Sequence, residues 1–276
     1  MIDLHCHSTA SDGSFSPTEL IRMAEEKGIT HLALTDHDTT DGVREFLQVK
    51  TDIACIPGIE ISVNYNNSEL HMVGLFIDID NKDLVQLEKE VKEYRKERNN
   101  NMIISLSKLV KKPVSISDLL DNPKSQLGRP HVAKYLVKNN IVGSYNEAFD
   151  LYLKDGAPLA VEKQRVSVER AINVIKSAGG LAIVAHPSTL NLSDQELEEL
   201  LIKYKHLGLD GMEVYSSHSP SEKKTVFEAA AHKLGLVISC GSDFHGINGK
   251  VSSLGADIGC LSDEDILKPM YKRLES

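Results

Sequence analysis

Two histidines separated by one residue, His5-Cys6-His7, follow a short apolar run, and Asp12 lies five residues beyond His7. On an extended backbone alternate side chains share a face, so His5 and His7 can grip one ion while Cys6 points the other way. Neutral imidazole and carboxylate are natural ligands of zinc, manganese and iron. An isolated His-x-His also occurs as a plain surface pair at a strand end, so the reading depends on where the other histidines and acids fall.

The elements that must position such ligands can be read from the hydropathy pattern. Short, almost wholly apolar runs predict strands at Ile2 to His5, His31 to Thr35, Ile53 to Ile56, Ile59 to Val63, Glu69 to Phe76, Leu181 to Ala185, Asp210 to Tyr215 and Leu236 to Cys240. Helices are expected between them. Ser16-Pro17-Thr18-Glu19 combines an N-cap, a proline at the first helical position and a capping-box glutamate, and Ser193 with Glu196 repeats the box. Pro57-Gly58 reads as a turn between two strands, and Asn64-Tyr65-Asn66-Asn67 as another. The alternation breaks over 81–161, where the pattern is mostly helical. A charged helix is predicted from Asp83 to about Arg98 and a second from Met102 to Val110, with shorter ones near Ile116–Leu120, Pro130–Val137 and Tyr145–Leu153. This segment reads as a cap inserted into a domain made of 1–80 and 162–276. Apolar strands alternating with amphipathic helices predict an α/β protein with a parallel sheet buried on both faces, and seven such strands can close into a barrel.

In parallel α/β barrels the functional site lies at the carboxyl ends of the strands. His5, His7, His37, Glu60, His71, His186, His218, Asp243 and His245 all fall at or just past such an end. His31, which begins a strand, and His206 and His232, on helices, are read as ordinary structural residues. Burying imidazoles and carboxylates together without a cation would leave unsatisfied polar groups at roughly 1–3 kcal/mol each. Metal binding accounts for them together. With Asp12 and His131, about ten candidate ligands at about four to five per ion imply two or three divalent ions. Glu60, flanked by apolar residues, suits a bridging carboxylate. His131 follows Gly128-Arg129-Pro130 at a helix start and is a predicted ligand, while Arg129 offers a fork of donors suited to substrate phosphate. Lys163 and Arg165 are candidates for the pocket rim. Mixed nitrogen and oxygen ligation favours Mn2+, with Fe2+ or Zn2+ as alternatives, over magnesium or calcium.

Composition excludes other classes. The 276 residues carry a formal net charge of −9, so general attraction to phosphate backbones, and with it duplex DNA binding, is not expected. Four cysteines, Cys6, Cys55, Cys240 and Cys260, are scattered without a Cys-x-x-Cys pair and fit a reducing compartment. There is no signal-type apolar stretch and no window of membrane-spanning length, and a cytoplasmic location is expected.

The strings His5-Cys6-His7…Asp12-Gly13, Thr35-Asp36-His37-Asp38, Pro57-Gly58-Ile59-Glu60, His71, Ala185-His186-Pro187 and Gly241-Ser242-Asp243-Phe244-His245 resemble those of the PHP (polymerase and histidinol phosphatase) family. The resemblance spans the chain apart from the interior of the cap. It implies a distorted (β/α)7 barrel with a mostly helical inserted cap and a trinuclear metal site. By motif, one ion would take His5, His7, Glu60 and Asp243, a second Glu60, His71 and His131, and the third Asp12, His37, His186 and His245. The Gly128-Arg129-Pro130-His131 and Tyr215-Ser216-Ser217-His218 segments are similar to those of bacterial phosphoesterases that act on nucleoside 3′,5′-bisphosphates or AMP. Some of these also trim short RNA from the 5′ end. The resemblance implies that Arg129 and His218 contact substrate phosphate, with Ser217 and Lys163 as further substrate-binding candidates. It implies phosphoester hydrolysis by hydroxide held on the metals, with His218 protonating or hydrogen-bonding the leaving oxygen. The alternatives are a small-metabolite phosphatase, such as one for histidinol phosphate, on the same fold, and a non-catalytic metal-binding regulatory module. An amidohydrolase-type barrel also opens with His-x-His, but that class often bridges its metals through a modified lysine, a role that falls here to Glu60.

Overall fold

Strand β1 (Ile2–Cys6) is buried along its whole length, as an apolar strand covered on both faces must be. The structure is a computed structural model that describes residues 1–66, 68–120, 127–154, 156–161, 164–249, 251 and 253–276. Helix α1 (Pro17–Glu26) starts at the expected capping box, in which Ser16 accepts from the Glu19 amide and Glu19 accepts from the Ser16 amide. Its apolar stripe, Leu20, Ile21 and Ala24, is fully buried with Leu32, Leu34 and Phe46 from β2 (His31–Leu34) and α2 (Val43–Gln48).

The next strands depart from the reading of the sequence. Ala54–Tyr65 is one strand, β3, rather than two separated by a turn at Pro57-Gly58. Its first part pairs parallel with β2 as far as Leu34↔Pro57, and from Gly58 onward it pairs antiparallel with β4 (Ser68–Leu75). Proline, which has no N–H to donate, thus sits where the ladder changes partner. The antiparallel pairing follows from the short reversal through Asn66 (φ 44°), because a tight hairpin cannot join parallel strands. The sheet is therefore mixed rather than purely parallel.

Helix α3 (Lys82–Val110) is continuous where two helices were expected. Asn99, Asn100 and Asn101 lie between the two expected helices, but asparagine in a helix interior costs well under about 1 kcal/mol, and the run contains neither glycine nor proline. After it come α4 (Arg129–Lys138), α5 (Tyr145–Ala148) and the two-residue strand β5 (Val166–Ser167), which the sequence did not signal and which pairs with β3. Then follow α6 (Val168–Ser177), β6 (Leu181–Val184), α7 (Asp194–His206), β7 (Gly211–Ser216), α8 (Ser221–Leu234), β8 (Val237–Gly241) and α9 (Asp263–Leu274).

The strands run in the order β1-β2-β3-β4-β6-β7-β8, with β5 beside β3. Past the end of β8 the chain is stitched to β1: the Asp243 amide donates to the His5 carbonyl at 2.8 Å, and the His7 amide donates to the Phe244 carbonyl at 3.0 Å. The sheet is thereby nearly closed into a barrel with helices outside, the distorted (β/α)7 architecture expected. The chain divides into two compact units, Met1–Glu88 with Arg165–Ser276, and Lys89–Gln164. The second has its own core, in which Met102, Leu106, Val132, Leu136, Leu153 and Leu159 are buried together. Among the described residues no helix is long and apolar enough to cross a membrane.

Candidate metal centre

Strand alternation puts His5 and His7 on one face of β1, with ring centroids 5.2 Å apart, while Cys6 faces the apolar cluster and its thiol meets the Ala33 carbonyl. Both histidines are essentially inaccessible. Glu60, fully buried in β3, lies at the middle of the site. Its Oε1 is 3.3 Å from His5 Nε2, 3.0 Å from His71 Nδ1 and 3.0 Å from His186 Nε2. Its Oε2 is 3.3 Å from His7 Nε2 and 2.8 Å from His37 Nδ1. Asp243 Oδ1 approaches His7 Nε2 at 3.1 Å and His5 Nε2 at 3.4 Å. Asp12 joins from the loop after β1, 3.4 Å from His245 Nε2 and 3.8 Å from His37 Nε2.

Three residues that carry or adjoin these groups have left-handed backbones: Asp38 (φ 56°), His186 (φ 25°) and Asp243 (φ 55°). Such conformations cost ~1–3 kcal/mol each for a non-glycine residue. In each the amide is anchored, to the Glu60 carbonyl at 2.8 Å, to Glu213 Oε2 at 2.6 Å and to the His5 carbonyl at 2.8 Å respectively. Two buried carboxylates tighten the surrounding loops. Asp36 accepts from the Ser8 amide and from the hydroxyls of Ser8 and Ser11, and Asp3 accepts from the Ser242 amide and hydroxyl and from the Gly255 amide. A Cβ on Gly13 would lie 2.3 Å from the His7 carbonyl oxygen, so the turn that brings in Asp12 requires glycine.

Residues with donor atoms that converge form three groups: His5, His7, Glu60 and Asp243; His7, Asp12, His37 and His245; and His37, Glu60 and His71. The first is the set expected for one ion. The others differ from the expected grouping, because His7 and His37 are each shared by two groups, and His186 stands beside Glu60 and His71 rather than with Asp12 and His245. The residues fit divalent ions on an observation of their own: His5 Nε2, His7 Nδ1, His37 Nδ1 and Glu60 Oε2 are buried without a hydrogen-bond partner. His37 Nδ1 and Glu60 Oε2 are only 2.8 Å apart yet lack hydrogen-bond alignment, as donor atoms facing a shared cation would.

The electrostatics are correspondingly tense. Burial opposes charge on Glu60, but His71, His37 and His5 hold its carboxyl well below the usual range. Burial likewise opposes charge on Asp243, and His5, His218 and His7 outweigh it, so this carboxyl too is held below the usual range. Burial and the neighbouring His37 push His7 down to about 3. Burial works against charge on His245, but the hydrogen bond and charge of Asp12 raise it to about 9.

His218 Nε2 is 2.8 Å from Asp243 Oδ2, and its ring stands edge-on to that of His186. Ser217 donates its hydroxyl proton to the Ser242 carbonyl at 2.6 Å, so donation to a phosphate would require that bond to break. Arg129 and His131 open α4 in the second unit. His131 Nδ1 accepts from the Gly128 amide at 3.1 Å, which leaves the proton of a neutral ring on Nε2, so ligation requires this cap to give way. Lys163 lies outside the described residues. Sequence reasoning missed Glu213, a buried carboxylate of β7 that reaches both His5 and the His186 amide. Its signal was the one used for Glu60, an acid flanked by apolar residues in a strand.

The profile of the PHP domain family matches residues 3–180. A 3′,5′-nucleoside bisphosphate phosphatase of Chromobacterium violaceum is 34% identical over 285 residues, covering 100% of this chain and 96% of its own. A 5′-3′ exoribonuclease of Haemophilus influenzae is 35% identical over 249 residues, covering 88% of this chain and 89% of its own. Among solved structures, an amidohydrolase of Chromobacterium violaceum holding sulfate and no metal superposes with a TM-score of 0.77 at 33% identity, over 99% of this chain and 95% of its own. A protein of Bifidobacterium adolescentis described as a metal-dependent phosphoesterase gives 0.75 at 27% identity, over 99% of this chain and 96% of its own. The chain belongs to the PHP domain family and is a metal-dependent phosphoesterase.

Proposed function

We propose that this phosphoesterase hydrolyses nucleotide phosphomonoesters, a nucleoside 3′,5′-bisphosphate or an AMP-like substrate, and trims short RNA from the 5′ end, in the cytoplasm. Its ligands would be His5, His7, Asp12, His37, Glu60, His71, His131, His186, Asp243 and His245, holding two to three divalent ions, manganese foremost. The observation that carries the reading is the set of four buried, unpartnered ligand atoms converging at the carboxyl ends of the strands. The named activities of the two relatives support the substrate class. Sulfate in the related structure, a tetrahedral oxyanion like phosphate, is in keeping with it.

Ions bound there would supply positive charge against the phosphoryl oxygens and lower the pKa of water. The chain's own residues do the rest. Glu60 and Asp243 set the spacing of the imidazoles around them. His218, tethered through Nε2 to Asp243, leaves Nδ1 as the ring nitrogen available to a leaving oxygen. Arg129 would neutralise equatorial oxygens with its fork of donors. With a net charge of −9, the chain is expected to discriminate against duplex DNA.

A panel assayed with manganese tests the reading: a 3′,5′-bisphosphate, AMP, a short 5′-phosphorylated RNA and histidinol phosphate. Phosphate release from the nucleotides is expected. Preference for histidinol phosphate would move the assignment to a metabolite phosphatase, and release from none would leave a binding module.

A further inference from the structure

One buried acid next to the centre belongs to none of the ligand groups. Glu213 is 2% exposed, in the middle of β7, between Met212 and Val214. Its two oxygens have separate tasks. Oε1 is 3.2 Å from His5 Nδ1, and Oε2 accepts from the His186 amide at 2.6 Å. His5 and His186 come from β1 and from the end of β6, and their rings stack at 5.6 Å. Room for this link depends on Gly241, where a Cβ would lie 2.2 Å from the His5 Cβ and 2.8 Å from Glu213 Oε1.

We propose that Glu213 is a positioning residue of the metal centre, fixing the tautomer of His5 through Nδ1 and the backbone of His186 through its amide. The inference rests on the metal-binding reading given above. A carboxylate only accepts hydrogen bonds, so the nitrogen facing it must carry the ring proton. That leaves the lone pair of His5 on Nε2, the atom that faces Glu60 at 3.3 Å and Asp243 at 3.4 Å. Carboxylates behind ligating histidines fix the ring in this way, and their loss typically weakens metal affinity about 10–100-fold. The second oxygen acts on geometry. His186 has a left-handed backbone (φ 25°, ψ 60°), and its amide is held only as long as an acceptor stands in place.

Glu213→Gln separates this role from plain filling of space. The side chain keeps its shape but offers one acceptor instead of two. The His186 amide can only donate, so it claims the glutamine oxygen. The glutamine NH2 then faces His5 Nδ1, which must accept, and a neutral His5 carries its proton on Nε2, towards the centre.

The experiment is zinc titration of wild type and Glu213→Gln by chelator competition, with ring 15N spectra of His5 in the zinc-loaded proteins. The wild type is expected to show His5 protonated at Nδ1 and ligated through Nε2. The variant is expected to bind zinc about 10–100-fold more weakly, with the Nδ1–H signal lost. The wild-type spectrum stands even if the variant does not fold, and a wild-type His5 protonated at Nε2 would overturn the proposal by itself. Equal zinc affinity with an unchanged His5 signal in the variant would overturn this inference alone. A wild type that binds neither zinc nor manganese nor iron would overturn the metal-centre reading together with it.

Discussion

Two buried acids at opposite ends of the strands show different solutions to the same problem. Asp210, just before β7, is 4% exposed, and its carboxylate accepts from Lys176 Nζ at 2.8 and 3.0 Å and from the Ala182 amide at 3.0 Å. Everything it needs is supplied by the chain. Glu60, near the carboxyl ends, is fully buried among five imidazoles, and one of its oxygens has no hydrogen-bond partner. Its ion-pair partners His5, His7, His37, His71 and His186 are all imidazoles. A buried carboxylate costs several kcal/mol unless a cation compensates it. The amino end is complete as it stands, and the carboxyl end is built to be completed by ions.

The contrast can be broken from either side. Asp243→Ala or His7→Ala should reduce phosphate release by roughly two to three orders of magnitude, the scale of losing a key electrostatic group, while circular dichroism still reports a folded chain. Near-wild-type turnover of either variant with metal in excess would remove the account of the site. Chelation should come next in size. Ions present at 100 times their dissociation constant contribute about 2.7 kcal/mol, so their removal should lower Tm by about 5–10 °C, recoverable on adding manganese. At the other end, Asp210→Ala strands the Ala182 amide and should cost about 1–3 kcal/mol in denaturant melts, yet leave metal content unchanged. Loss of metal from that variant would mean that the two ends are not independent.

The smallest effect concerns pH. The ordinary histidine value is 6.5, and His245 is raised to about 9, with Asp12 overcoming the effect of burial. A raised pKa contributes stability that is fully present below about 6.5 and is lost as pH climbs through about 9. The chelated protein should therefore melt a few degrees lower at pH 9 than at pH 6.5, and Asp12→Asn should flatten that slope. Because Asp12 is half exposed, the slope is expected to be shallow.

Much of this was legible in the sequence for reasons that can be named. Apolar runs fix strands, and the barrel rule places chemistry at their carboxyl ends, so His5, His7, His37, Glu60, His71, His186, Asp243 and His245 could be picked out and are brought together. What was not legible depends on three-dimensional neighbours. Pro57-Gly58 has the composition of a turn, and only the change of ladder partner from β2 to β4 shows why the strand continues through it. The gap left between two expected helices falls on Asn99 to Asn101, whose helix propensity is too weak to break the continuous helix the structure shows. The neighbours of His186 follow from the left-handed turn after β6, which spacing does not encode. Glu213 was overlooked because it ends no strand, although a charge inside a buried strand carries the same message there as at Glu60.

The most direct test is the metal content of the chain purified without chelator, measured by elemental analysis beside Glu60→Gln. Two to three divalent ions per wild-type chain are expected, falling below one in the variant. A wild-type chain free of metal and unable to take up manganese, zinc or iron, or a Glu60→Gln chain that holds as much as the wild type, would contradict the account.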